Sequence, residues 1–208
     1  MKILFQGDSI TDSRRTRDND PTIDVGVGYV RLIKSQLYFE DPCKYEIENR
    51  GVSGNRIVDL YARMKADILN LKPDVLSILI GYNGVSHDLI AVPNGVDAEK
   101  FYKVYDMLIE EILAELPDVK IIIMEPFVLK GIATEPKWDK FSVEVPKRAE
   151  KAKLIAEKYN LKFVPLQKGL DKLCESAEPS YWLIDGVHPT PAGYEYIKRE
   201  WIKAFKEL

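Results

Sequence analysis

The sequence has few of the residues that form metal sites or disulfide frameworks, since only 2 of its 208 residues are cysteine and 2 are histidine. Cys43 and Cys174 are far apart and lack metal-ligand spacing, so we expect free thiols in a reducing cytosol. Glycine-rich phosphate loops of the G-x-G-x-x-G or P-loop type are also missing. We therefore expect neither a metal nor a cofactor.

Long apolar runs and an excess of basic charge are lacking too. The apolar stretch after Lys2 ends at Gln6, which is too short for a signal peptide, and no later run approaches the ~20 residues of a transmembrane helix. Lys and Arg number 30 against 33 Asp and Glu, with no basic stripe along the chain. These features predict a cytoplasmic protein that binds neither membranes nor nucleic acid.

What remains is an ordinary globular composition, 46% hydrophobic and 30% charged. A chain of 208 residues suits one domain, which we expect to span residues 1–208. Apolar runs and helical periodicities alternate along it. The predicted strands are 2–5, 45–48, 75–80, 119–124 and 161–164. The predicted helices are 28–39, one from Ile57 to Ile68, one from Phe101 to Leu116, one after Trp138 and broken at Pro146, a short one at 166–173, and a terminal one from Pro191.

This βαβαβαβαβα order predicts a three-layer α/β/α, flavodoxin-like fold with a five-stranded, mostly parallel sheet. The units are too few for a TIM barrel. Two long polar loops, 6–27 and 125–138, and an irregular segment at 179–189 connect the elements. Loops of this length are unusual unless they have a function.

Polar residues follow the predicted strands. Ser9 comes after the first strand, Gly54 after the second, Asn83 after the third, and Asp185 and His188 lie between the last strand and the last helix. The carboxyl ends of parallel strands share one edge of the sheet, where ligands bind in open α/β folds. We therefore expect these loops to converge on one crevice.

The chemistry of these groups is complementary. A serine hydroxyl such as Ser9 attacks only when an adjacent base takes its proton, and His188 suits that task. Asp185, three residues away, could fix the ring tautomer of His188. The backbone N–H groups of Ser9 and Gly54 and the side-chain amide of Asn83 could stabilise an oxyanion. The set predicts acyl transfer, although each glycine, Asn83-Gly84 and Asp185-Gly186 would also suit a plain turn.

Four further residues are candidates for substrate contacts: Asp8, His87, Trp138 and Trp182. Trp138 and Trp182 lie beside the long loops and could stack on sugar rings, or could equally pack in the core or between subunits. His87 lies in the loop after the third strand, where it could face the crevice or simply the surface. Asp8 directly precedes the predicted nucleophile.

Four segments resemble the sequence blocks of the SGNH hydrolases, also called GDSL esterases and lipases. They are residues 7–10 (GDSI), 49–55 (NRGVSGN), 81–83 (GYN) and 185–189 (DGVHP), in the order of that family. The resemblance implies Ser9 as the nucleophile, Asp185 and His188 as its partners, and an oxyanion hole at Gly54 and Asn83. The third block departs from the usual pattern, because Gly84 stands where an aspartate is common.

Within that family, residues 7–12 (GDSITD), 28–30 (GYV) and 53–56 (SGNR) look most like intracellular acetylxylan or acetyl-oligosaccharide esterases. The resemblance implies hydrolysis of small acyl esters, acetyl foremost, through an acyl-Ser9 intermediate. A lysophospholipase or thioesterase of the same family, and a non-catalytic flavodoxin-like binding module, are the alternatives. A homo-oligomer is open as well, since Tyr196, Trp201 and Phe205 of the last helix could pack in the core or against another subunit.

Overall fold

A computed structural model describes residues 1–18, 20, 22–90 and 93–208, which contain a single sheet. Its strands are β1 (Lys2–Gly7), β2 (Glu46–Asn49), β3 (Val75–Leu79), β4 (Lys120–Met124) and β5 (Lys162–Val164). They lie in the order β2-β1-β3-β4-β5, and every pair of neighbours is parallel. The prediction of a five-stranded, mostly parallel sheet is confirmed.

Helices connect the strands and cover both faces of the sheet. They are α1 (Ser9–Asp12), α2 (Tyr29–Glu40), α3 (Ile57–Ala62), α4 (Met64–Asp67), α5 (Tyr82–Ser86), α6 (Ala98–Glu115), α7 (Trp138–Lys158), α8 (Gln167–Leu173), α9 (Pro179–Trp182) and α10 (Pro191–Phe205). Short 3-10 turns lie at Leu69–Leu71, His87–Leu89 and Glu135–Lys137. Within the described ranges, none of the helices has both the length and the apolar character needed to cross a bilayer.

Side chains alternate between two buried clusters on the two faces of β1. Phe5 packs on one face, its ring centroid 5.1 Å from that of Trp201, whereas Leu4 points into the cluster on the other face. Trp201 is fully buried, and its ring stacks on the partly buried Phe205 at 4.8 Å. Tyr196 donates a hydrogen bond to the carbonyl of Leu166 at 2.9 Å. Trp201, Tyr196 and Phe205 therefore pack in or against the core of this chain.

The chain order creates a switch point beside β1. From β1 the chain moves to β2 on one side, and it then crosses back to β3 on the other side. The loops after β1 and β3 consequently diverge from adjacent strands at the carboxyl edge. Open α/β sheets bind ligands at such switch points.

Four element predictions were wrong in detail. The helix around Pro146 is continuous, because Phe141, Val145 and Ala149 bury one face of α7 and this packing outweighs the loss of one backbone N–H. The predicted second helix is two short helices, α3 and α4, followed by a 3-10 turn. The long polar loop after β1 contains α1, which begins because the Asp8 carboxylate accepts the N–H of Ile10 at 3.1 Å. The segment 179–189 likewise contains α9.

A buried polar contact fastens α10 to the sheet. The Trp201 indole N–H donates to the Ser77 hydroxyl at 3.0 Å, and both residues are fully buried. We expect Ser77→Ala to lower the free energy of unfolding by about 1–3 kcal/mol, because the indole N–H would be left buried without an acceptor. Urea denaturation measures the change.

The exposed Ser35→Ala is the matched control and should change stability by about 0.5 kcal/mol or less. The double variant Ser77→Ala/Trp201→Phe should lose less stability than the sum of the losses in the two single variants. The reason is that neither hydrogen-bond partner is then left buried without the other. Strict additivity would contradict this contact.

Candidate active site

Ser9 lies at the junction of β1 and α1, on the carboxyl edge of the sheet. Asp8 caps α1, so that Ser9 becomes the first residue of that helix. The Ser9 side chain is partly exposed, and its Oγ lies 3.0 Å from Nε2 of His188. This distance is short enough for a direct hydrogen bond between a hydroxyl and a base.

Asp185 and His188 are held by one tight turn. Asp185 Oδ1 accepts the backbone N–H groups of Val187 at 2.9 Å and His188 at 2.8 Å, and Asp185 Oδ2 lies 2.7 Å from His188 Nδ1. Gly186 has a φ of +95°, in the left-handed region that favours glycine, and an added Cβ would lie 2.5 Å from the Leu129 carbonyl oxygen. The turn therefore fixes the carboxylate against the imidazole.

The contact between Asp185 and His188 shifts the pKa of both side chains. Burial alone would raise the pKa of the Asp185 carboxyl, but hydrogen bonds from the His188 side chain and from the turn backbone lower the pKa to about 2. The hydrogen bond to Asp185 raises the pKa of His188 above 6.5, although burial opposes it. Asp185 thus stays ionised at neutral pH and stabilises a protonated His188.

Gly54 and Asn83 lie on loops after β2 and β3. Gly54 has a φ of +82°, and no atom outside its chain neighbours lies within 4 Å of the place a Cβ would take, so the space beside it is open. The Asn83 side chain is buried, and its Nδ2 donates to the carbonyl of Asn55 at 3.1 Å. This bond joins the two loops and leaves the second N–H of that amide for another acceptor.

The structure around Gly84 suits the absence of the aspartate that is common at this position in the third sequence block. Its carbonyl accepts the N–H of Val96 at 2.8 Å, and an added Cβ would lie 3.2 Å from the Val96 carbonyl oxygen. The loop before α6 therefore lies close to the place that a side chain at position 84 would take. α5 forms without that side chain, and Asn83 lies in its first turn.

Two buried polar residues, Asn49 and Asp12, tie the loops after β1 and β2 together. Asn49 Nδ2 donates to the carbonyls of Thr11 at 2.6 Å and Val25 at 2.9 Å. Asp12 Oδ2 accepts the N–H of Ser53 at 3.1 Å. Both residues are at most 6% exposed. Ser53 directly precedes Gly54, so the position of α1 is coupled to that of Gly54.

Residues 5–196 match the GDSL-like Lipase/Acylhydrolase family. The chain belongs to this family. It is therefore a carboxylic ester hydrolase of the GDSL type, and the alternative of a non-catalytic binding module is not favoured. An acetylxylan esterase from Geobacillus stearothermophilus is 32% identical over 97% of this chain and 92% of its own length.

Solved structures of family members superimpose closely on this GDSL hydrolase. A GDSL-like lipase from Parabacteroides merdae has a TM-score of 0.90 at 35% identity, covering 99% of this chain and 95% of its own. A catalytic mutant of the Geobacillus esterase, in which an aspartate is replaced by alanine, has a TM-score of 0.87 at 30% identity over 98% and 93%. Other catalytic mutants of the same enzyme replace a serine or a histidine by alanine.

In this GDSL hydrolase, Ser9 and His188 open into a cleft of about 460 Å³. Its other lining residues within the described chain are Asp12, Ser13, Arg14, Val27, Ser53, Ile184, Pro189 and Tyr194. Arg14 and Tyr194 are not among the site residues predicted from the sequence. Tyr194 could have been suspected, because Thr190 caps α10 and so directs its first turn to the loop that contains His188.

None of the four further candidates is among the residues that line that cleft. Asp8 is 2% exposed and caps α1, and burial raises the pKa of its carboxyl to about 6. Trp138 packs with Tyr82 against a small cluster that includes Phe141. Trp182, at the end of α9, is partly buried against the core, and His87 begins a 3-10 turn after α5. Within the described residues, no group of three or more histidine, cysteine, aspartate or glutamate side chains could hold a metal ion.

The coupling between Asp185 and His188 can be measured directly. We expect NMR titration to show a His188 pKa above 6.5 in the wild type, and Asp185→Asn to lower that pKa, since the carboxylate that raises it is gone while burial still lowers it. The chain has 2 histidines, and His87→Gln assigns their signals. An unchanged or higher His188 pKa in Asp185→Asn would contradict the hydrogen bond at Nδ1.

Proposed function

We propose that this GDSL hydrolase is a serine esterase that removes small acyl groups, acetyl foremost, from oligosaccharides, with Ser9, His188 and Asp185 as its catalytic residues. The observation that supports this most strongly is the hydrogen-bond chain from Ser9 Oγ through His188 to Asp185, with distances of 3.0 and 2.7 Å. The Ser9 end of this hydrogen-bond chain lies in an open cleft at the switch point of the sheet. Its residue types are those replaced in the catalytic mutants of the Geobacillus esterase.

In the first half-reaction, Ser9 Oγ attacks the ester carbonyl carbon while its proton moves to His188 Nε2. Asp185 stabilises the resulting imidazolium, which the raised pKa of His188 already favours. Negative charge develops on the carbonyl oxygen. The N–H groups of Ser9 and Gly54 and the free N–H of the Asn83 amide are the proposed donors to that oxygen.

The tetrahedral intermediate then collapses to acyl-Ser9. The bond from the carbonyl carbon to the alcohol oxygen breaks, and the alcohol leaves with the proton from His188. In the second half-reaction, water attacks the acyl carbon while His188 takes one of its protons. Collapse releases the free acid and returns the proton from His188 to Ser9 Oγ. Both half-reactions use the same base, His188, and the same proposed oxyanion donors.

Two observations support a small acyl group on a carbohydrate. The relative that is 32% identical over 97% of this chain is an acetylxylan esterase. The cleft also offers hydroxyl groups, from Ser53 and Tyr194, beside the apolar side chains of Val27 and Ile184. Sugars present both hydroxyls and apolar ring faces, so a lining of this mixed kind suits them.

A series of p-nitrophenyl esters from acetate to palmitate, run beside acetylated xylo-oligosaccharides, tests the acyl preference. We expect kcat/KM to be highest for acetate and to fall steadily with chain length, and we expect acetate to be released from the oligosaccharides. Ser9→Ala should abolish both activities, because no other group replaces the attacking hydroxyl.

A fluorophosphonate probe separates the acyl preference from the mechanism. Labelling of the wild type and none of a folded Ser9→Ala variant would support Ser9 as the nucleophile. Labelling together with the highest kcat/KM on long acyl chains would replace the acetyl assignment by a lipase or lysophospholipase. Full esterase activity in Ser9→Ala would overturn the mechanism.

Asn83→Ala tests the oxyanion site. We expect kcat to fall on the order of a hundredfold or more with little change in KM, since the lost donor acts mainly on the transition state. The exposed Asn70→Ala is the matched control and should leave both constants at their wild-type values. A rise in KM with unchanged kcat would assign Asn83 to ground-state binding instead.

A further inference from the structure

Arg14 differs from the two other arginines that follow α1. Arg15 donates from Nε to the Gly51 carbonyl at 2.9 Å, and Arg17 forms an ion pair with Asp12 at 2.9 Å. Arg14 is exposed and lines the same cleft as Ser9 and His188. Among the described residues, its guanidinium has neither a hydrogen-bond acceptor nor an acidic partner. Its charge is thus available to a ligand.

The backbone brings Arg14 to this place by an unusual route. Ser13 and Arg14 have φ values of +42° and +60°, a left-handed conformation that is uncommon outside glycine. Hydrogen bonds on both sides hold it, from Ser13 N to the Ser9 carbonyl at 2.9 Å and from Val27 N to the Ser13 carbonyl at 2.9 Å. The chain therefore turns sharply after α1. Backbone strain of this kind concentrates at functional sites.

The other charged groups of the cleft do not neutralise Arg14. The Asp12 carboxylate is 6% exposed and already accepts from Ser53 N and Arg17, whose hydrogen bonds lower its pKa against the effect of burial. His188 is bonded to Asp185, and the Tyr194 hydroxyl accepts from Ser13 at 3.0 Å. Within the described part of the chain, a cationic group without a counter-ion therefore lines the reaction cleft.

On the basis of the esterase function proposed above, we propose that Arg14 determines specificity by binding a carboxylate on the sugar part of the ester. The preferred substrates are acetyl esters of acidic saccharides, those with a uronic acid residue near the acetylated sugar. A planar guanidinium pairs with a carboxylate through two parallel N–H···O bonds. The sugar part is the one concerned because a cleft of about 460 Å³ is far larger than an acetyl group.

Two matched substrates test this assignment: an acetylated xylo-oligosaccharide, and one of the same length that also bears glucuronic acid. We expect the wild type to show a higher kcat/KM on the acidic ester, by roughly two- to fivefold, the range typical of a solvent-exposed ion pair. Arg14→Gln should bring the ratio of kcat/KM on the acidic ester to kcat/KM on the neutral ester close to one. Arg14→Lys should keep part of the preference. The preference should appear in KM and shrink as NaCl is added.

Arg199→Gln is the matched control, because Arg199 is an exposed arginine on α10 whose partner is Glu195, and its ratio should equal that of the wild type. Hydrolysis of both esters with the same ratio in wild type and Arg14→Gln would overturn the role of Arg14 and leave the esterase function intact. Hydrolysis of neither ester would overturn both proposals. If Arg14→Gln lowered kcat/KM only for a p-nitrophenyl monoester of succinic acid, the recognised carboxylate would belong to the acyl part. That result would overturn the sugar assignment.

Discussion

The pairing of β1 with β2 on one side and β3 on the other is the constraint on which the rest of the molecule depends. It sets the loops after these three strands next to one another at one edge of the sheet. Ser9, Gly54 and Asn83 lie on those loops, so sheet topology alone brings a hydroxyl and potential oxyanion donors to the same crevice. Burial of Phe5 against Trp201 holds α10 on that sheet, and the loop before α10 contains His188.

Polar contacts between the loops fix their relative positions more closely than sheet topology does. Asn49 and Asp12 are buried and fasten α1 to the segment before Gly54, and the Asn83 amide is bonded to the carbonyl after Gly54. Each contact satisfies backbone groups that would otherwise be buried without partners, so its loss would cost stability as well as geometry. The three loops therefore behave as one unit, although they are far apart in sequence.

Charge is distributed unevenly around this unit. Asp185 is held ionised by hydrogen bonds, whereas burial raises the pKa of the neighbouring Asp8 to about 6. Asp12 is neutralised by Arg17. These three carboxyl groups accept hydrogen bonds from within the protein, whereas Arg14 and the partly exposed His188 imidazole line the cleft.

The sequence by itself determined the order of the elements, the parallel sheet, the family, and which polar residues follow which strands, because hydrophobic periodicity and strand ends are local properties of the chain. Packing between distant segments decided the rest. The helix through Pro146 is continuous because of a buried face that the proline alone does not reveal. Trp138 and Trp182 are partly buried against hydrophobic clusters, while Arg14 and Tyr194 line the cleft. The placement of Arg14 depends on backbone angles after α1 that are held by Val27, and contacts of that kind are visible only in the folded chain.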